Sequence, residues 1–372
     1  MVDRVLPERA YDVLFSMPWA GSSLDGSGPA GGAETQILGI ARGLAAAGLT
    51  VAILVVGERS RLPREVGGLH VLAQPRAPAI RGLGGLLHDL YTFRSLLRVR
   101  ARVVVQRNAS RSVAVAALAA RLRRARFIYS SANVVDFDLG RLEPSYNVRL
   151  HEWGMRAAAQ VVVQTEEQAE LCRARIGRDP VVIRSIAERA EPRTGAPEAF
   201  LWIGRAAPYK RLDLYLDLAA SLPEARFEVV LVPGAEEQPE MTARLARARD
   251  ELPNLTVLDP RPRAELGSLI DRAVAVVNTS EYEGMPNVFL EGWSRGVPAL
   301  AFSHDPDGVI AAHGLGAFAA GSRDRFVELA REQWESRGSQ AEVAARCIGY
   351  VHRHHDAGVV CRAWRGVVAG AA

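Results

Sequence analysis

The chain has 372 residues, 48% hydrophobic and 24% charged, which excludes disordered and collagen-like classes and suits two α/β domains better than one core. The net charge of +4 comes from an arginine-rich, lysine-poor composition and by itself selects no partner. Three cysteines (Cys172, Cys347, Cys361) without metal-type spacing argue against a zinc site or a disulfide framework. They predict a reducing, cytoplasmic setting. No apolar run reaches the roughly 18 residues of a membrane span, and the charged Met1–Tyr11 stretch does not read as a signal peptide.

In chain order, short apolar runs bounded by turns predict strands at Tyr11–Ser16, Val51–Val56, His70–Leu72, Val103–Gln106, Phe127–Ser130 and Val161–Gln164. Helical periodicity lies between them, at Glu34–Ala47 and Leu83–Leu97. The segment Arg184–Ala199, with Pro192 and Pro197, reads as a linker and puts a boundary near residue 190. A second series follows: strands at Phe200–Ile203, Phe227–Val232, Thr256–Leu258, Ala273–Val277 and Ala299–Phe302, with helices at Leu212–Leu222 and Glu240–Glu251. Strand alternating with helix means parallel sheets covered on both faces. The expectation is two Rossmann-like domains, 1–190 and 191–350, whose strand C-terminal ends face a central cleft. Phe326–Val368 reads as helical throughout, with 351–372 crossing back to the first domain.

The stretch Ser280–Leu300 carries the most chemistry. It follows a buried strand, where an α/β sheet places ligands. Gly284 permits a tight turn, and Pro286 suits the first turn of a helix whose N-terminus attracts an anion. Glu283 precedes that helix, Glu291 lies about a turn and a half inside it, and Gly296, Val297 and Pro298 end it. After the first strand of the second domain come Gly204–Arg205 and Lys210–Arg211, fixed cations of the kind a diphosphate leaving group needs. After the first strand of the chain, the glycine-rich loop Gly26–Gly32 leads into a helix and lets backbone N–H groups approach a phosphate or sugar. It lacks the dinucleotide-binding spacing.

Together these pieces resemble the retaining GT-B glycosyltransferases of family four, the group of the sucrose and glycogen synthases and bacterial mannosyltransferases. The likeness is strongest from Phe200 to Phe302. The resemblance implies a hexosyltransferase that uses a nucleotide-diphosphate sugar without a metal. Its acceptor would be a glycan, a glycolipid or a small molecule. By the same resemblance Glu283 contacts the donor sugar and Glu291 the ribose, while Arg205 and Lys210 hold the diphosphate. Gly204, Gly284, Met285, Pro286 and Asn287 complete the donor side, and Gly31 and Gly32 line the acceptor side. Many members carry a histidine after the strand ending at Ser130; here the sequence is SSANVVDFD, with Asn133 as the candidate replacement. IRSI at Ile183–Ile186 and SHDPDG after Phe302 also depart from the family pattern.

Two metal readings are weaker. Asp136-Phe137-Asp138 spells a D-x-D signature that belongs to a different, single-domain fold. His352 and His355 share a helical spacing but have no acidic or cysteine companions. Ten arginines between Arg94 and Arg126, with no acid among them, read either as a solvated helix surface or as a face for anionic membrane. No nucleic-acid motif accompanies them. Two rivals remain on the same architecture: a catalytically silent nucleotide-sugar-binding subunit and a sugar-nucleotide epimerase.

Overall fold

The computed structural model describes residues 10–21, 24, 31–138, 140, 147–232, 239–260 and 263–370. Its contacts divide it into two units, Met1–Ile186 with Ala357–Ala372, and Ala187–Asp356. The divisions thus fall at 186/187 and 356/357, against the expected 190/191 and 350/351.

The first unit runs β1 (Ala10–Ser16), α1 (Gly32–Ala46), β2 (Val51–Val56), β3 (Glu65–Val66), β4 (Leu69–Gln74), α2 (Gly84–Arg98), β5 (Arg100–Arg107), α3 (Ser112–Leu122), β6 (Arg126–Ser130), α4 (Val148–Ala157), β7 (Gln160–Val163), α5 (Glu166–Leu171) and β8 (Val181–Val182). The second runs β9 (Ala199–Gly204), α6 (Leu212–Ser221), β10 (Phe227–Leu231), α7 (Pro239–Glu251), β11 (Leu255–Leu258), α8 (Arg263–Asp271), β12 (Ala273–Asn278), α9 (Asn287–Ser294), β13 (Ala299–Ala301), α10 (Val309–His313), β14 (Gly316–Phe318), α11 (Arg323–Glu335) and α12 (Ala341–His354). A last helix, α13 (Ala357–Ala369), belongs to the first unit.

Eight strands form the first sheet in the order β3-β4-β2-β1-β5-β6-β7-β8, parallel apart from β3. Alternation from Val13 to Phe15 sorts the β1 side chains: Val13 and Phe15 join one core with α1 and α13, while Leu14 joins another with α2, α3 and α4. The sheet is therefore covered on both faces. The second sheet, β11-β10-β9-β12-β13-β14, is parallel throughout. Its central β12 is buried at every position, as a two-sided parallel strand requires.

Two sequence expectations need correction, the unbroken C-terminal helix and the single arginine face, and the weaker histidine metal reading finds no support. The C-terminal helical stretch is three helices: Ser336 folds its hydroxyl back onto the Glu332 carbonyl (2.7 Å) where α11 ends, and α12 stops at His354. His352 is exposed while His355 is buried against Tyr350, so the two do not converge on a metal. The arginine run is not one face either. Arg107 is buried, Arg111 pairs with Asp89 (2.7 Å), and Arg126 donates to the carbonyls of Val367 and Val368.

The proposed linker is partly core. Gln36 of α1 donates to the Ile186 carbonyl and accepts from its N–H, both at 2.8 Å, which pins the end of the first unit's chain to α1.

Candidate active site

In the second unit β9 and β12 are neighbours, so residues about seventy apart in sequence emerge on one sheet edge. The two loops are tied by a relay: Trp202 Nε1 donates to Thr279 Oγ1 (3.0 Å), and Thr279 donates to the Lys210 carbonyl (2.7 Å). Glu281 N–H reaches the Tyr209 carbonyl (2.8 Å), and Tyr209 stacks on Tyr282 with centroids 5.0 Å apart. Gly204 is required beneath this join, because a Cβ there would lie 2.8 Å from the Trp202 ring.

At the centre, Lys210 Nζ donates to Glu283 Oε1, and Ser280 Oγ donates to the same oxygen at 2.8 Å. Both side chains are largely buried, at 20% and 12% exposure. Burial opposes each charge, yet each holds the other ionised. The Glu283 carboxylate outweighs burial and raises Lys210 above its ordinary 10.5. Lys210, helped by Ser280 and His304, outweighs burial and keeps Glu283 below 4.5. Arg205 donates to the Tyr209 hydroxyl (3.1 Å), which sets its guanidinium beside the same loop. Arg211 grips Asp213 and Glu281 (3.1 Å) instead of adding a third cation.

The helix that follows begins one residue later than expected. Pro286 is at the N-cap with extended backbone, and Asn287 opens α9. Glu291 shares a face with Asn287, four residues earlier. The Met285 side chain packs into the apolar core, so the backbone is what that residue offers a ligand. Gly296, at φ +77, ends the helix, with Val297 N–H returning to the Gly292 carbonyl (2.8 Å). His304, in a loop that the sequence reading treated only as a departure, donates from Nε2 to the Gly284 carbonyl (3.0 Å). It anchors the turn on which Glu283 is carried.

In the first unit Gly31 caps α1 and both Gly31 and Gly32 are exposed; Gly26 to Ala30 of that loop lie outside the described residues. The Glu34 carboxylate occupies the space where a Gly31 side chain would begin (2.2 Å), which favours a hydroxyl-bearing ligand over an anion at this helix end. Asn133 spends its Oδ1 capping the turn Val134–Asp136. Asp136 is buried, and its Oδ2 accepts from Tyr129 Oη (3.0 Å) and Ala132 N–H (2.7 Å). That carboxylate shapes the loop. Sequence reasoning missed Arg107 at the end of β5. Burial lowers this guanidinium to about 10 despite Asp136, and it donates to Ser130 Oγ at 2.9 Å. Beside it the buried Ser16 Oγ, Gln106 Oε1 and Arg107 Nε have no hydrogen-bond partner, at the ligand edge of β1 and β5.

A doubly covered parallel sheet with cations and a carboxylate at its strand C-terminal edge defines an α/β protein with a site suited to an anionic ligand. Residues 31–187 match the glycosyl transferase 4-like domain, and residues 184–349 match the glycosyl transferases group 1 domain. The chain belongs to this family: it is a GT-B glycosyltransferase that uses nucleotide sugars. Among solved structures, Anabaena HepE, in complex with UDP and glucose, aligns at 17% identity and TM-score 0.75, covering 96% of this chain and 99% of its own. Sucrose-phosphate synthase from Thermosynechococcus elongatus aligns at 12% identity and TM-score 0.79, over 98% and 100%. WaaG, a glycosyltransferase involved in lipopolysaccharide biosynthesis, aligns at 15% identity and TM-score 0.70, over 96% and 100%. At these identities the structural likeness speaks for the fold.

Proposed function

We propose that the chain is a retaining hexosyltransferase that moves a sugar from a nucleoside-diphosphate donor to an acceptor hydroxyl in envelope glycan or glycolipid synthesis. The observation that supports this best is the buried Lys210–Glu283 pair, with Arg205 beside it on the sheet edge. On this reading Lys210 and Arg205 turn to the diphosphate and stabilise the charge it gains as the C1–O bond breaks. Glu283 meets the sugar hydroxyls, and Glu291 the ribose. The acceptor oxygen bonds to C1 from the face that the phosphate leaves, and the acceptor proton passes to the departing phosphate oxygen. No enzymic nucleophile or metal enters; alignment and leaving-group stabilisation carry the rate. Gly31, Gly32 and Asn133 serve the acceptor. The enzyme works in the cytoplasm, in peripheral contact with the inner membrane face.

The test is release of nucleoside diphosphate from a donor panel, followed by the anomeric configuration of the transferred sugar by NMR. An inverted product overturns retention. Binding without turnover across the whole panel points instead to the silent-subunit reading.

A further inference from the structure

Every large hydrophobic side chain found exposed among the described residues belongs to the first unit. Most lie on one layer. Helix α3 packs between α2 and α4, and the close fit is visible at Gly154 of α4, where a Cβ would sit 2.7 Å from the Ala114 backbone nitrogen. From the outer side of this layer project Leu86 and Leu90 of α2, Leu118 and Leu122 of α3, and Leu150 and Trp153 of α4. Soluble helices bury their apolar stripe and leave polar residues outside; here each of the three helices also carries large apolar side chains on its outer side.

The apolar surface extends to the ligand edge of the sheet. Each of these helices follows a parallel strand, so its N-terminus begins at the strands' C-terminal ends. At that edge Trp19, 69% exposed, follows β1 and lies flat on His88 of α2, with ring centroids 5.2 Å apart and 9° between planes. Ile80 and Leu83 are exposed just before α2.

Charge selects the occupant. Segments 75–99, 110–122 and 147–157 hold eight arginines against two acids, Asp89 and Glu152. Arg111 neutralises Asp89 (2.7 Å), and Arg156 neutralises Glu152 (2.7 Å). Arg81 and Arg149 are exposed beside Leu83 and Leu150. Leucine and tryptophan among arginines, with both acids paired, suit the headgroup region of an anionic bilayer, where tryptophan anchors and cations gain from surface potential. No described helix is long and apolar enough to cross a membrane, so the contact is peripheral.

We propose that the outer faces of α2, α3 and α4, with Trp19, dock on an anionic lipid membrane and present the acceptor-side edge of the first unit to it. This rests on the functional reading above and deepens it: the acceptor is itself an amphiphile held in that membrane. The exposed arginines at the opposite sheet edge, such as Arg100 and Arg124, are not the docking surface.

The test is co-sedimentation of the full chain with phosphatidylcholine vesicles and with vesicles containing about one-third phosphatidylglycerol, at low and high salt. The expected result is binding to the anionic vesicles alone, weakened by salt. Leu86→Ser with Trp153→Ser should reduce partitioning at least tenfold, and so should Arg81→Ser with Arg149→Ser, with an unchanged thermal melt. Equal, negligible binding to both vesicle types at low salt overturns the proposal. So does a dimer by light scattering that the Leu86→Ser/Trp153→Ser variant dissociates, since that makes the face an interface between copies. Donor hydrolysis without vesicles separates the two claims. Lost hydrolysis with intact vesicle binding defeats the enzymatic reading alone; hydrolysis with no vesicle binding defeats this one.

Discussion

Lys210→Ala removes the cation from the largely buried Glu283 carboxylate, and its consequences can be worked through in both stability and rate. Breaking a buried pair from one side costs about 3–5 kcal/mol, because the remaining charge is left uncompensated. Unit Ala187–Asp356 is a domain of the size for which each kcal/mol shifts Tm by about 2–4 °C, so a drop of roughly 10 °C at pH 8 is expected. The pH dependence is more diagnostic. In the native protein the depressed Glu283 contributes stability above its ordinary 4.5 that is lost as pH falls, and the raised Lys210 contributes stability below 10.5 that is lost as pH rises. The pair should therefore hold from about pH 5 to pH 10. Without Lys210, burial dominates and the Glu283 carboxyl rises above 4.5, so the variant loses stability as pH rises through that new value. Adding Glu283→Gln should restore most of the loss, because a neutral amide needs no cation. Turnover should fall about a hundredfold or more in Lys210→Ala, through loss of leaving-group stabilisation. Thermal melts at pH 5 and pH 8, with nucleoside diphosphate release, check both parts. A melt that does not depend on pH in this interval, together with unchanged turnover, refutes the role assigned to the pair.

Arg205→Ala should also lower turnover by about two orders of magnitude, and unchanged diphosphate release would remove it from the site. Exhaustive chelation should leave full activity; loss on chelation with recovery in manganese would show that fixed cations do not suffice. Asp136→Ala should destabilise the first unit by roughly 1–3 kcal/mol through the orphaned Tyr129 hydroxyl and Ala132 N–H, with no change in any metal response. Gly204→Ala should cost roughly 1–3 kcal/mol in melting and reduce turnover, since the displaced Trp202 also steers Thr279 and the Lys210 carbonyl.

Periodicity made the sheets legible because both strands and helices write their environment into the chain. The two-sided burial of β12 appears as the apolar run Ala273–Val277, and the expected bounds of β2 coincide with those observed. What periodicity could not supply was spatial order. Short edge elements such as β8 and β14 carry two and three residues and leave no pattern to detect. The arginine run looked like one face in sequence, but its members divide among a strand core, an ion pair, a helix C-terminus and solvent. The docking surface is the converse case: Leu86, Leu118 and Leu150 belong to three separated helices that read individually as ordinary amphipathic segments.

The candidate site shows the same division between chemistry and placement. Glu283 and Lys210 were recognisable as residue types, yet nothing local to either predicts that one neutralises the other across 73 positions. That follows from β9 lying beside β12, which the strand sequence alone leaves open. The consequence is chemical. An isolated buried lysine would shed its proton and an isolated buried glutamate would take one up, and neither form would serve a diphosphate or orient a sugar hydroxyl. Held together, each keeps its ionic form, which is the form the proposed donor contacts require. His304 and Ser280 add to this, one through the Gly284 carbonyl and one by donating directly to the Glu283 oxygen that Lys210 also holds. The carboxylate is thus held by contacts that do not depend on Lys210, so on the proposed reading the ammonium can turn to an incoming phosphate without releasing the turn that carries Glu283.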